Sequence, residues 1–502
     1  MMKRWFASPA LLVAFHLVAQ DAKPVEAKSL GLQEAVQIAL KNNLQVGISE
    51  TTRDFNQASV QVQEGQFDWT LGGSANWRKD QDASTGPAYR GGPIISSAST
   101  TYSRNLDVNL QKPFEWGGTL KLDYNPTYSV SKFGQVGGEQ NYLSYNAPYD
   151  GSFSATYTQS LIRGFGRDNT AAQLMVARNG AVIADLNYQK AIIDLIASVE
   201  SAYWDVVFAK ENLANKQQSL EIAQKQLNEN KIRVQVGTLA PIEVTSAEAA
   251  VAQREQDIIS AEAQYLNAKD ALSRALFPQM ERIPVEPSEM PKVAPVTQDE
   301  AVAERMALAN RVELKAAKLD LESKRLLEKQ SNNGTLPKLD LSVGYAGGAA
   351  NDRTIGPVNS DLTHHTYPGY NVGFVFSVPL MNKGARGVQA QARANRRQGE
   401  YSVRDQELSI LLEVRQSLRN LQAAEKGVAA AVKTREFQEK TLDAEQKKFA
   451  NGMSTNFFVL QRQSDLDLSR SAELQARINY AKAVTTLEKA IGHLPEARNL
   501  RF

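Results

Sequence analysis

The chain has 502 residues, longer than one ordinary globular core, and its 57 Lys+Arg against 55 Asp+Glu leave a formal charge of +2. That balance speaks against nucleic acid as a partner, and the absence of cysteine excludes disulfides, thiolate metal sites, cysteine nucleophiles and a lipidated N-terminal cysteine. No apolar run after the N-terminus approaches the roughly 18 residues of a spanning helix, so any membrane crossing must be a closed β-barrel.

The first residues read as an export signal, with Lys3 and Arg4 ahead of a short apolar core interrupted by His16. Cleavage after Ala19 or after Ala27 remains open, and residues 1–27 are set apart from the fold. A first repeat is assigned to 28–277. Ser29 is placed to cap an amphipathic helix through Leu32, Ala35, Val36 and Ala39, and a second helix spans about 44–63.

From Phe67 the period drops to two, and alternating segments recur through 67–161. Trp69, Leu71 and Trp77 alternate with Thr70, Ser74 and Asn76. Leu106 to Leu110, Leu120 to Val130 and Phe153 to Leu161 behave alike. One apolar, aromatic face and one small, polar face suit a strand between lipid and a watery lumen. Gly-, Ser- and Pro-rich residues 80–102 and 131–151 read as exposed loops.

A long helix pair follows over 168–277. Leu195, Val199, Ala202, Val206, Ala209 and Leu213 form a heptad seam that Lys216 breaks, and Leu220, Ala223 and Leu227 resume it. The first helix ends at Gly237, suited to a left-handed cap. Five prolines in 278–297 mark a surface linker without regular structure. A second repeat over 298–492 restates the order: helix, strands over 338–380 around a loop at Gly356-Pro357, and a helix pair over 385–492 broken at Asn451-Gly452. Residues 493–502 form a tail. Gly237 and Gly452, Val199 and Val414, and Leu272 and Leu487 all share the offset 215, which implies an internal duplication.

In this order the motifs resemble the TolC-like outer-membrane factor family. They are Ser29-Leu30-Gly31-Leu32-Gln33-Glu34-Ala35 with Asn42-Asn43, Gln159-Ser160-Leu161-Ile162, Val199-Glu200-Ser201-Ala202-Tyr203-Trp204-Asp205, and the two glycine turns. The resemblance implies a mixed α+β membrane protein. A trimeric outer-membrane β-barrel would continue into a long periplasmic α-helical barrel, internally duplicated. Its expected role is a passive exit duct of a tripartite efflux or type I secretion system. Partners would be two further copies, a periplasmic adaptor, an inner-membrane pump and outer-membrane lipid, with no cofactor and no catalysis. The competing reading is a periplasmic coiled-coil adaptor or spacer without a channel.

The resemblance places Gly237, Thr238, Gly452 and Met453 at the periplasmic tip where an adaptor docks. Many relatives carry an acid ring just beyond; the matching residues here are Phe458 and Gln461, so an apolar ring of Phe457 or Phe458 is expected near Gln461 and Asp465. A lipid-interface girdle is assigned to Trp69, Trp77, Tyr124, Tyr157, Tyr345 and Tyr370. Relatives contribute four strands per subunit, and four are expected here, with the 106–130 hairpin turning at Glu115-Trp116-Gly117-Gly118 as surplus. His364-His365 lack companion ligands. Gly164-Phe165-Gly166-Arg167 reads as a strand-to-helix turn rather than an anion site.

Overall fold

The apolar seams and period-two segments resolve into eleven α-helices and eight strands among the described residues of a computed structural model. It describes residues 28–87, 94–135, 148–277, 285–295 and 298–500; the expected export signal at 1–27 lies outside them. The chain divides into two units. One comprises the described residues of 1–44, 194–297 and 419–487, the other those of 45–193, 298–418 and 488–502.

The first unit is helical. It holds α1 (Leu32–Asn42), α5 (Ile242–Leu276), the later part of α4 (Ala172–Gln235), the later part of α9 (Lys383–Ala450) and most of α10 (Asn456–Ala490). At 64 residues α4 is about 96 Å long. Most of the stability of a helix in a folded protein comes from packing of its apolar face, and the heptad positions supply that face here. Ile196, Val199, Tyr203, Val206, Ile478 and Leu487 are buried. Two strands of three residues, β1 (Lys28–Leu30) and β6 (Val285–Pro287), pair in parallel.

This corrects two expectations. Ser29 lies in β1, while Gly31 is the N-cap of α1 without a side-chain bond. The proline-rich stretch is not wholly irregular, because a parallel edge needs few N–H donors and buried tyrosines hold it. The Tyr203 hydroxyl donates to the Leu30 carbonyl at 3.0 Å and accepts from the Glu289 amide at 3.2 Å. The Tyr480 hydroxyl donates to the Ala294 carbonyl. Burial raises the pKa of both phenols, so they stay neutral donors.

The second unit carries α2 (Leu44–Glu64), α3 (Arg167–Thr170), α6 (Glu300–Asn310), α7 (Val312–Gly334), α8 (Ile355–Thr363), α11 (Leu494–Ala497) and the first parts of α4 and α9. Its sheet contains β2 (Thr70–Pro87), β3 (Ile94–Pro113), β4 (Gly118–Gln135), β5 (Tyr149–Ser160), β7 (Lys338–Asn351) and β8 (Pro368–Ser377). These lie in the order β2-β3-β4-β5-β7-β8, antiparallel throughout.

The four-strand expectation is therefore corrected: the 106–130 hairpin is hydrogen-bonded into the middle of one six-stranded sheet. Its turn is tight because Gly117, at φ +93°, lies against the Gly164 carbonyl, where a β-carbon would come within 2.1 Å. Residues 80–87, 94–102, 131–135 and 149–151 are strand rather than loop, and 88–93 and 136–147 lie outside the described residues. The small polar residues there are what one sheet face wants, and their composition resembles loop. Gly356 and Pro357 lie in α8, with Pro near the helix start where its missing N–H costs nothing. As expected, the chain turns from strand to helix at Gly164 and Gly166, at φ +84° and +88°.

Candidate functional site

The strand register settles which residues share a face. Leu71 opposes Leu110, which opposes Leu122; Ala155 follows, then Tyr345, then Tyr370. Trp69, Trp77, Tyr124 and Tyr157 fall on the same face by the strand alternation. All six girdle residues are thus brought to one side. Thr70, Ser74, Asn105, Lys121, Ser154 and Thr156 occupy the other. No helix among the described residues is long and apolar enough to span a bilayer, whereas this face presents Leu71, Trp77, Tyr370, Val372 and Phe374 to the outside. Trp69 and Trp77 stand eight residues apart, about 26 Å along the strand and close to the ~25 Å apolar band of membrane barrels.

The sheet has distinct ends. At one, β2, β5, β7 and β8 continue into or out of helices; the other, the loop end, carries the β7–β8 connection and the far ends of β2, β3, β4 and β5. The helical end carries an aromatic group that sequence reasoning passed over as a turn. Phe114 and Trp116 stack at 4.5 Å, and the Trp116 indole donates to the Tyr157 hydroxyl at 3.0 Å. The signal was two aromatics two apart beside a Gly-Gly turn. At the other end α8 lies on the apolar face, with Val358 fully buried over Gly151 and the Tyr124 hydroxyl donating to Asn359 at 2.6 Å. Tyr124 is therefore beneath a helix as well as in the girdle set. His365 meets the Tyr345 hydroxyl at 2.5 Å and His364 Nδ1 bonds the Ser360 carbonyl at 2.7 Å, so the two imidazoles do not converge. Among the described residues no cluster of three or more His, Cys, Asp or Glu is placed to hold a metal.

In the helical unit both glycine turns close as Schellman caps. The Thr238 amide donates to Arg233 and the Gly237 amide to Val234; the Met453 amide donates to Lys448 and the Gly452 amide to Phe449. Gly237 has φ +76° and Gly452 φ +71°, and a β-carbon at either meets nothing within 4 Å. Around the second turn Leu442, Phe449, Val459 and Leu466 form a buried cluster that Leu239 joins. Phe457 and Phe458 point outward, 64% and 49% exposed, with rings 5.6 Å apart edge to face. Asp465 is engaged by Gln461 at 3.1 Å and Arg462 at 3.0 Å. The Glu445 pKa is lowered, first by the Ser454 hydroxyl donating to it and also by Lys448.

Residues 119–276 and 304–493 match the family described as Outer membrane efflux protein. The chain belongs to that family. Its curated relatives include the outer membrane protein TolC of Escherichia coli K12, 26% identical over 64% of this chain and 66% of TolC. Another is the pyoverdine export outer membrane protein OpmQ of Pseudomonas putida, 22% identical over 68% of this chain and 70% of OpmQ. The chain thus spans just under two-thirds of TolC's length. Among solved structures, the MtrE outer membrane channel of Neisseria gonorrhoeae superposes with a TM-score of 0.62 at 17% identity, over 98% of both chains. VceC of Vibrio cholerae does so with 0.64 at 14% identity, over 92% and 96%. The family is one of outer membrane efflux proteins, which replaces the adaptor alternative.

One further cluster lies at the heptad break. Asp467, 3% exposed in its side chain, accepts from Lys216 at 2.5 Å, Ser219 at 2.8 Å and Arg254 at 3.3 Å. Arg254 also reaches Asp257 at 3.4 Å. The seam interruption at Lys216 was visible in sequence; its partner, 251 residues away, was not.

Proposed function

We propose that this efflux-family chain is one subunit of a homotrimeric outer-membrane duct that conducts substrates passively from an inner-membrane pump, through a periplasmic adaptor, across the outer membrane. The observation that carries it is the six-stranded sheet with one apolar and one polar face, whose edges, β2 and β8, are unpaired among the described residues. An open edge in lipid leaves backbone groups unsatisfied at several kcal/mol each, so the sheet must close. Six is even, so β8 of one copy meets β2 of the next antiparallel. Three copies give eighteen strands, in the size range that encloses an aqueous channel. The α4–α5 and α9–α10 pairs, as the two arms of an internal duplication over 28–277 and 298–492, form the periplasmic helical barrel. Gly237, Thr238, Gly452 and Met453 form its adaptor-docking tip, and Phe457 and Phe458 its apolar constriction beside Gln461 and Asp465. Trp69, Trp77, Tyr124, Tyr157, Tyr345 and Tyr370 mark the lipid face.

The test is native mass spectrometry of the full chain from outer-membrane detergent extracts, alongside heat modification on gels. A trimer that collapses to monomer on boiling is expected. A stable membrane-inserted monomer refutes the closure argument.

A further inference from the structure

The charges on the sheet are sorted by sign. Among strand residues with described side chains, the apolar face carries Lys79, Arg104 and Lys112 and no acid. Asp80, Asp82, Asp107, Asp123, Asp150 and Asp340 all fall on the polar face. A cation on a lipid-facing wall is costly unless it meets an anion, and the sheet supplies none on that side. Lys112 sits at the helical end, over the Trp69 ring. Lys79 and Arg104 lie together toward the loop end. Trp77 opposes Arg104 and Lys79 opposes Tyr102, so the two cations are diagonal neighbours roughly 7–8 Å apart at the backbone.

Beside them the same face holds a groove of about 420 Å³, lined by Trp77, Arg104, Leu106, Tyr128, Tyr149 and Ile355 of α8. The Arg104 guanidinium lies 5.8 Å from the Tyr128 ring centre, and the Tyr128 and Tyr149 rings are 5.1 Å apart. The Lys79 ammonium lies 5.7 Å from the Tyr102 ring centre. Neither cation has an acidic partner among the described residues. Aromatic faces hold the cations without neutralising them, which leaves their N–H donors for an external anion.

We infer that this groove is a binding site for a phosphate-bearing membrane lipid, its phosphate held between Arg104 and Lys79 and an acyl chain laid along Leu106, Tyr128, Tyr149 and Ile355. The inference rests on the apolar face being the lipid face of an outer-membrane barrel. The ligand chemistry follows from the pairing: an anion for two adjacent cations, and a chain for an apolar trough that runs from them along the wall. A water-soluble phosphate would satisfy the first feature and leave the second unexplained.

The probe is bisphosphorylated lipid A doped into phosphatidylcholine nanodiscs holding the full chain, with lipid retained through detergent washing measured by native mass spectrometry. The parent is expected to retain lipid A about tenfold better than the Lys79→Gln, Arg104→Gln variant, with Lys79→Gln alone between them. Lys121→Gln, on the polar face, should match the parent. Equal retention by the parent and the double variant, both membrane-inserted, overturns the site. So does competition by millimolar inorganic phosphate, which would make it a free-anion site. A parent that does not insert into the bilayer instead refutes the outer-membrane reading.

Discussion

The buried Asp467 cluster gives the most direct energetic prediction. Asp467→Asn removes the negative charge shared by Lys216 and Arg254, whose side chains are only 15% and 14% exposed. Lys216 then has no acid among the described residues, while Arg254 keeps Asp257. Leaving one buried charge uncompensated costs about 3–5 kcal/mol, and the retained Arg254–Asp257 pair argues for the lower end. About 3 kcal/mol raises the population of a locally opened state more than a hundredfold. Hydrogen exchange of the detergent-solubilised full chain should show that acceleration over residues 212–223 and 463–471. The paired Lys216→Met, Asp467→Leu variant removes both charges and should recover most of the protection, because an apolar replacement is tolerated where a lone charge is not. Exchange in Asp467→Asn within twofold of the parent would show that the cluster does not clasp α4 to α10. A paired variant as labile as the single one would place the cost in packing rather than charge.

Three further outcomes follow from the same geometry. Gly237→Val and Gly452→Val meet no steric neighbour but force a β-branched residue to a left-handed φ of +76° or +71°, about 1–2 kcal/mol each. They should stop export while heat-modifiable oligomer and membrane insertion persist, and normal export by either would remove that turn from the docking tip. Leu71→Arg should destabilise the barrel by about 2–4 kcal/mol if it faces the lipid midplane, whereas Thr70→Arg should cost much less; equal urea midpoints would invert the face assignment. Phe457→Ala with Phe458→Ala should raise closed-state conductance in planar bilayers, and an unchanged conductance would take both rings out of the constriction.

Much of this was legible because each element states its period. The heptads of α4 and α9 and the alternation around Trp69, Leu122 and Phe153 state the type of those elements from their residues alone. The glycine turns were legible too, since a Schellman cap demands a positive φ that only glycine adopts cheaply. What failed was the extent of the strands. Residues 80–87 and 94–102 are Ser-, Thr- and Gly-rich, which local rules assign to loop, yet hydrogen bonding to a neighbouring strand overrides composition once the partner is present. The Val285–Pro287 strand was hidden for a related reason: its support comes from Tyr203 and Tyr480, far away in sequence. Long-range partners such as Lys216 and Asp467 leave only half a signal each, a charge where an apolar residue belongs.

Where the duct would select its cargo can be argued from the same sorting of charge. If the second glycine turn forms the entrance, Phe458 and Gln461 bring no carboxylate to it, and Asp465 is already engaged by Arg462. Among strand residues with described side chains, six acids on the polar face, from Asp80 to Asp340, stand against three cations, Arg78, Lys121 and Lys338, and each cation is already paired. If that face lines the lumen, three copies surround it with a net negative potential, strongest where low-dielectric walls focus the field. The open channel should then prefer cations. Replacing Asp107 and Asp123 by Asn should lower the cation-to-anion permeability ratio, read as a shift of the reversal potential toward zero in a potassium chloride gradient, and less so at high salt. A parent channel with no ion preference, or a double variant with the parent's reversal potential, would mean that the acid-rich face does not line the conducting path.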